Sequence, residues 1–404
     1  MSGQCPICGD RNSIAIYSAQ RQPLLLNHLH RSRDAALRAP AADLDFKGCV
    51  ECGFVWNAAF DPQAIHYGPG YINDQSESAV FRQHLNEVTN RLLKCVAKTP
   101  GSIIEIGCGQ GTFLKSLCRR ASRPGIGFDP AYRETAPADA DVIVRNELFT
   151  ACAAAALMDS HQSISLIICR HVLEHLDDPA LMIQTIAGLM RTNPTATLYL
   201  EVPAAQWIAE HAAFYDFFNE HCSLFSMESM RRMLIAEGFA ATQIEPVFHD
   251  QYLAVEASLT PGSDRQRAMR GPEIDHRQCA TRLLRERDQW AEHLDDLLAI
   301  GPALIWGAGA KGVSLVNQLG LSSERIPFLI DINPFKHGCF APLTAQEVIG
   351  PEAWRAASAR ASVPPTVIVM NPNYVDEVEE RLVDLGINAD VEVIGGSNSV
   401  EVHC

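Results

Sequence analysis

The stretch GSIIEIGCGQGTFLKSL, residues 101–117, constrains this chain more than any other. Ile103, Ile104 and Ile106 form a short apolar run, as expected of a parallel strand buried on both faces. Gly107, Gly109 and Gly111 follow at once, and then a helical segment begins. Strand, glycine turn and helix in that order bring backbone N–H groups to a helix start, where a ligand can approach closely. A second run, PGIGFDP, ends at Asp129, 18 positions beyond Gly111. An acid there can accept both hydroxyls of a ribose. The expectation is a doubly wound α/β fold with Glu105, the three glycines and Asp129 at its ligand.

At 404 residues the chain has room for two or three domains. A composition of 47% hydrophobic and 20% charged residues is that of a folded protein. The net charge of −15 argues against a nucleic-acid or anionic-membrane surface, but leaves room for a basic patch that holds a small phosphorylated ligand. No apolar run reaches the roughly 18 residues of a membrane span. The start, MSGQCPICGD, has no basic-then-apolar leader. The 13 cysteines are scattered, several within apolar runs, which suits small buried thiols in a reducing cytoplasm.

Cys5 and Cys8 form one CxxC pair, and Cys49 and Cys52 form another. Two such knuckles supply four thiolates, the ligand set of a structural zinc site. Gly9 and Gly53, each just after a pair, relieve the backbone where it curls around the ion. With all four positions filled by protein the site has no catalytic opening. A redox pair or chance spacing is the alternative.

SISLIICRHVLEHLDDP, residues 163–179, reads as a strand and then a helix start. HVLEH satisfies a zinc-protease pattern, but that pattern belongs inside a helix, and here it follows directly on a strand. ATLYLEVP is the next strand and brings Glu201 to the rim of the sheet. Soon after comes FNEHCSLFS, with Glu220 and His221 adjacent in an aromatic setting; alone, such a His is ordinarily a packed or surface residue. A polar helical stretch, 276–301, leads into PALIWGAGAKGVSLVNQLGL, with Gly307, Gly309 and Gly312 as GxGxxG and Asp331 at a later strand end. Alone this suggests NAD, although about a hundred residues is short for a complete dehydrogenase. The expected organisation is a zinc module over 1–65, an α/β domain over 66–258, a helical linker over 259–299 and a second α/β domain over 300–404.

The GxGxG spacing, with Glu105 two residues ahead of the first glycine, resembles motif I of class I S-adenosylmethionine (SAM) methyltransferases. That likeness implies SAM at Glu105, Gly107, Gly109, Gly111 and Asp129, with Arg170 and His171 of the RHVLEHL segment lining the cofactor pocket. Together with the cysteine knuckles and the EH pair, the whole chain resembles the sugar C-methyltransferases of deoxysugar biosynthesis. These have an N-terminal Cys₄ zinc module, a class I methyltransferase domain and a C-terminal Rossmann-like domain. The resemblance implies a nucleotide-diphosphate keto sugar as substrate and His221 as the base. Glu220 would orient it or bind sugar hydroxyls, Tyr71 would supply an enolate or relay hydroxyl, and Tyr67 is second choice. Lys311, Lys336 and Asn371, at the end of VIVMNPNY, would face the nucleotide-sugar.

Two departures bear on the substrate. Phe218 stands where the family has a tyrosine, and FHDQYLAVEA replaces its HGGS strand. The competing readings are an O- or N-methyltransferase, a non-catalytic SAM- or nucleotide-sugar-binding protein, and an NAD enzyme using the second glycine turn. Monomer and dimer are both open. The zinc module is expected to be a separate support, whose loss does not directly stop methyl transfer.

Overall fold

The computed structural model describes residues 3–68, 70–73, 75–133, 141–240, 243–259, 273–358 and 363–395. At its centre is a seven-stranded sheet. Ser102–Ile106 lies in the middle, with Gly125–Phe128 and then Val142–Arg145 on one side. On the other side lie Ile164–Arg170 and Thr197–Pro203, all parallel to it. Tyr252–Ala257 and Gln243–Val247 complete that side as an antiparallel hairpin. The chain leaves the first strand in one direction and returns to its other side for the fourth. This reversal opens a crevice beyond the carboxyl ends of those two strands. Both strands are buried almost end to end, as a sheet covered on both faces requires.

The glycine turn is dictated by local sterics. Gly107, Gly109 and Gly111 have φ of 71°, 56° and 73°, the left-handed region that glycine enters freely. The helix Thr112–Ala121 starts directly from Gly111. Further along, Asp178 caps the helix Pro179–Arg191 by accepting from Leu181 N–H, with a proline in its first turn.

A second, antiparallel sheet joins Ser13–Pro23, Ala41–Cys49 and Val55–Asn57 with the two-residue strand Ser223–Leu224. The last strand comes from just past His221, so the EH segment is stretched between the two sheets. The C-terminal sheet is wholly parallel, in the order Glu347–Ile349, Phe328–Ile330, Ala303–Trp306, Thr366–Val369, Asp390–Val393. It is a second doubly wound unit. Gly312 is required there, since a Cβ would lie 1.9 Å from the Gly307 carbonyl oxygen.

The helix His276–Ile300, read from sequence as a linker, buries Leu283, Trp290 and Leu294 and runs along strand Ser13–Pro23. His276 Nε2 lies 3.1 Å from the Cys49 carbonyl oxygen. The alanine-rich stretch DAALRAPAAD, residues 34–43, holds most of the short helix Arg33–Leu37 and the start of the strand Ala41–Cys49. Among the described residues no helix is long and apolar enough to cross a membrane.

Candidate active site

Asp129 stands beside the first glycine turn. Its Oδ2 accepts from Gly109 N–H and its Oδ1 from Ala131 N–H, both at 2.8 Å. Each carboxylate oxygen retains a lone pair for a further donor. Glu105 is buried at the end of the first strand with Oε2 lacking a hydrogen-bond partner, and burial pushes its carboxyl up to about 7. Arg170 stacks over Phe113 at 4.1 Å, and its Nε and Nη1 also lack hydrogen-bond partners. A buried acceptor and a buried cationic donor beside a glycine turn can hold the zwitterionic end of an amino-acid-like cofactor.

His171, expected at the cofactor pocket, sits between two carboxylates. Its Nε2 lies 3.0 Å from Glu201 Oε1, and its Nδ1 lies 3.3 Å from Glu174 Oε1. Although burial opposes the charge, these two carboxylates push its imidazole up to about 9. Glu201, expected at a ligand-facing rim, is fully buried. It is held by His84 Nε2 at 3.1 Å and by the Tyr199 hydroxyl at 2.9 Å as well as by His171. These donors keep its carboxyl well below the usual range despite burial.

His221 opens partly to the crevice. Its ring meets His175 edge-on at 4.9 Å and Phe218 at 4.3 Å. Desolvation by the packed walls, with smaller contributions from His175, His171 and Lys311, holds His221 well below the ordinary imidazole value. It is therefore neutral at physiological pH. Burial likewise lowers His175. His175 Nδ1 shares a 2.8 Å hydrogen bond with the Tyr67 hydroxyl. Tyr67 and Tyr71 pack edge to face at 5.0 Å, so the two candidate tyrosines come together, and it is Tyr67 that bonds a histidine.

Glu220 is 1% exposed, and neither carboxylate oxygen has a hydrogen bond of good geometry. Burial pushes it up to about 8, opposed by the nearby Leu26 backbone, the Tyr71 hydroxyl and the Asn27 backbone. Asn27 Nδ2 donates to the Tyr71 oxygen at 3.4 Å, and Ile72 N–H donates to the Asn27 carbonyl at 2.9 Å. The first segment therefore forms a wall of the crevice as well as carrying the cysteines.

In the C-terminal unit, Lys311 Nζ is 2.8 Å from Asp216 Oδ2 and 4.4 Å from the Trp207 ring centre. Lys336 Nζ is 2.8 Å from Asp331 Oδ2, which also accepts from Ala308 N–H. Asp331, the acid expected for an NAD ribose, thus braces its own glycine turn. Asn371 Nδ2 donates to Gln251 Oε1 at 2.9 Å, and its Oδ1 accepts from Asn373 N–H. Lys311 and Asn371 therefore already have protein partners.

Cys5 and Cys52 sulfurs lie 3.5 Å apart, as do those of Cys8 and Cys49. All four lie within 4.8 Å of one another. Tetrahedral zinc with bonds of about 2.3 Å sets its sulfurs about 3.8 Å apart, so the cluster is compatible with a zinc-binding module. Gly9 and Gly53 have φ of 73° and 75°, as their place after each knuckle requires.

Glu174, His175, His84 and Asn27 were missed by sequence reasoning. The first two stand inside the quoted RHVLEHL, and only their neighbours Arg170 and His171 had been singled out. His84 and Asn27 gave no signal, because their partners are distant in the chain.

The family described as "Methyltransferase domain" matches residues 78–244, and "C-methyltransferase C-terminal domain" matches residues 265–388. C-methyltransferase NovU of Streptomyces niveus is 23% identical over 393 residues, covering 93% of this chain and 91% of that protein. Indolepyruvate C-methyltransferase of Streptomyces griseus is 40% identical over 60 residues, 15% of this chain and 18% of that protein. Among solved structures, magnesium protoporphyrin IX methyltransferase from Synechocystis PCC 6803 with bound SAM is 17% identical, covers 45% of this chain and 80% of that one, and has a TM-score of 0.31. With its sheet order, its glycine turn and these two family matches, the chain is a SAM-dependent methyltransferase whose C-terminal domain is that of the C-methyltransferases.

Proposed function

We propose that the protein methylates a carbon beside a carbonyl group, on a nucleotide-linked keto sugar, with His221 as the base. The observation that carries this reading is the neutral His221 set edge-on to His175, whose Nδ1 bonds the Tyr67 hydroxyl, with Tyr71 packed against Tyr67. The names of two relatives add support, since both are C-methyltransferases and one acts on a ketone, indolepyruvate.

Carbon attacks a sulfonium only after a proton beside the carbonyl is removed. A neutral imidazole is the right form for this. The C–H bond breaks, its proton goes to a His221 ring nitrogen, and the electron pair moves through the adjacent bond onto the carbonyl oxygen. The Tyr71 and Tyr67 hydroxyls, and Glu220 in its protonated form, are donors for the resulting enolate. SAM, when bound, supplies the electrophilic methyl group. Glu105 and Arg170 would hold its ammonium and carboxylate, and Asp129 its ribose. The C-terminal unit would hold the nucleotide-sugar through its glycine turn, Lys311, Lys336 and Asn371. The four cysteines would hold a structural zinc ion.

The test is mass spectrometry of nucleotide-linked 4-keto-deoxysugars incubated with the protein in heavy water and S-adenosylhomocysteine, then with SAM. The expected result is deuterium uptake that vanishes in His221→Ala and a gain of one methylene with SAM. No uptake and no gain across the panel would overturn the reading.

A further inference from the structure

We infer that Glu174 is the positioning residue for His221. In this role its carboxylate holds the His175–His221 pair and balances the charge that His221 gains with the substrate proton. The inference rests on the base assignment above.

Glu174 is fully buried just past the end of the fourth strand. One of its oxygens and one ring nitrogen each of His175 and His221 lie within 4.8 Å of one another. Neither oxygen has a hydrogen bond of good geometry, and His171 Nδ1 lies 3.3 Å from Oε1. The His171 cation beside it is shared with Glu201, so a second cation close to this buried carboxylate is favoured. Glu220, the chain neighbour of His221, faces Leu26, Asn27 and Tyr71 instead.

The surroundings make the charge balance legible. His171 and His175 flank Glu174 on its own turn. Cys169 below it, Cys222 beside His221, Tyr67 and Tyr252 all face it, and burial raises each of these four, keeping them neutral. His171 is a cation, but it is shared with Glu201. Lys311 acts on His221 from the C-terminal unit and is paired with Asp216. When His221 takes a proton, Glu174 is the carboxylate within reach of the new cation.

Removing a negative charge beside an imidazole destabilises the imidazolium, so the base weakens. In Glu174→Gln, deuterium exchange should fall about tenfold or more, and the acid limb of its pH profile should move to lower pH. Affinity for S-adenosylhomocysteine should be unchanged. Glu174→Asp, with its charge withdrawn by one methylene, should be intermediate in rate and in limb. A merely structural role would lower rate or cofactor affinity without moving the limb.

Wild-type rate and limb in Glu174→Gln, with His221→Ala inactive, would overturn this inference and leave the base assignment standing. If Glu174→Gln does not bind S-adenosylhomocysteine, Glu174→Asp decides, and an unmoved limb there overturns the inference. Exchange that survives in His221→Ala, or is absent in the wild type across the sugar panel, removes both readings.

Discussion

Two glycines of one turn should respond to the same substitution to different extents. Gly107 and Gly109 both sit in left-handed backbone, so alanine at either costs about 1–2 kcal/mol in conformational strain. They differ in what the new methyl meets. A Cβ on Gly107 would lie 2.2 Å from Val172 Cγ2, whereas one on Gly109 meets nothing within 4 Å. The first contact is far inside van der Waals distance and adds an overpacking cost of about 1–3 kcal/mol. Gly107→Ala should therefore destabilise the domain by about 2–5 kcal/mol and Gly109→Ala by about 1–2 kcal/mol.

The open side of Gly109 is also the side a cofactor would approach. Gly109→Ala should keep its fold and yet lose S-adenosylhomocysteine affinity, by about tenfold or more if the methyl fills the ligand's place. Denaturant unfolding and calorimetric titration measure the two effects separately. Val172→Ala removes the methyl that clashes, so the double variant Gly107→Ala/Val172→Ala should regain the packing part and keep only the strain. Additive losses in that cycle would refute the packing argument. Unaltered affinity in Gly109→Ala would refute the placement of the cofactor.

Three further outcomes follow from the site. Tyr67→Phe removes the hydroxyl bonded to His175 and should lower kcat by about tenfold or more with cofactor affinity unchanged; a wild-type kcat would exclude Tyr67 from the reaction. Cys8→Ser should lower the zinc that the protein retains, measured as metal per chain. Because Leu26 and Asn27 of the same segment face Glu220, turnover should fall with it; a zinc-free variant of full activity would show the segment to be independent. Stability should depend on pH. His171, raised to about 9 from 6.5, stabilises fully below 6.5 and loses that contribution as pH rises through 9. Glu220, raised to about 8 from 4.5, binds its proton more tightly when folded, so stability also falls as pH rises from 4.5 to 8. Above pH 6.5 the lowered His175 and His221 no longer contribute a slope, so melting temperature should decline from pH 6.5 to 8, and Glu220→Gln should decline less. An identical slope in that variant would mean that Glu220 is not buried as an acid.

Strand, glycine turn and helix at 101–117 were legible because each is local. Three isoleucines need a buried strand, and three glycines are the residues that accept left-handed backbone at that spacing. The two cysteine knuckles were legible for the same reason, as each pair is set by a four-residue turn. The pairing of those knuckles across 40 residues depended on ligand chemistry. Placement of His221 among other groups was not legible. Its immediate neighbour in sequence, Glu220, reaches across to the first segment, while Glu174 and His175 arrive from the turn after the fourth strand. His171 read as a cofactor contact from its motif, yet the tertiary structure surrounds it with Glu174 and Glu201, whose negative charge a buried site must balance.

The sequence by itself determined which elements form and where each turn must fall, because backbone sterics and apolar spacing act over a few residues. The tertiary structure alone decided which carboxylates lie beside which histidines. Burial, and the charge balance that comes with it, is a property of surfaces brought together from across the whole chain.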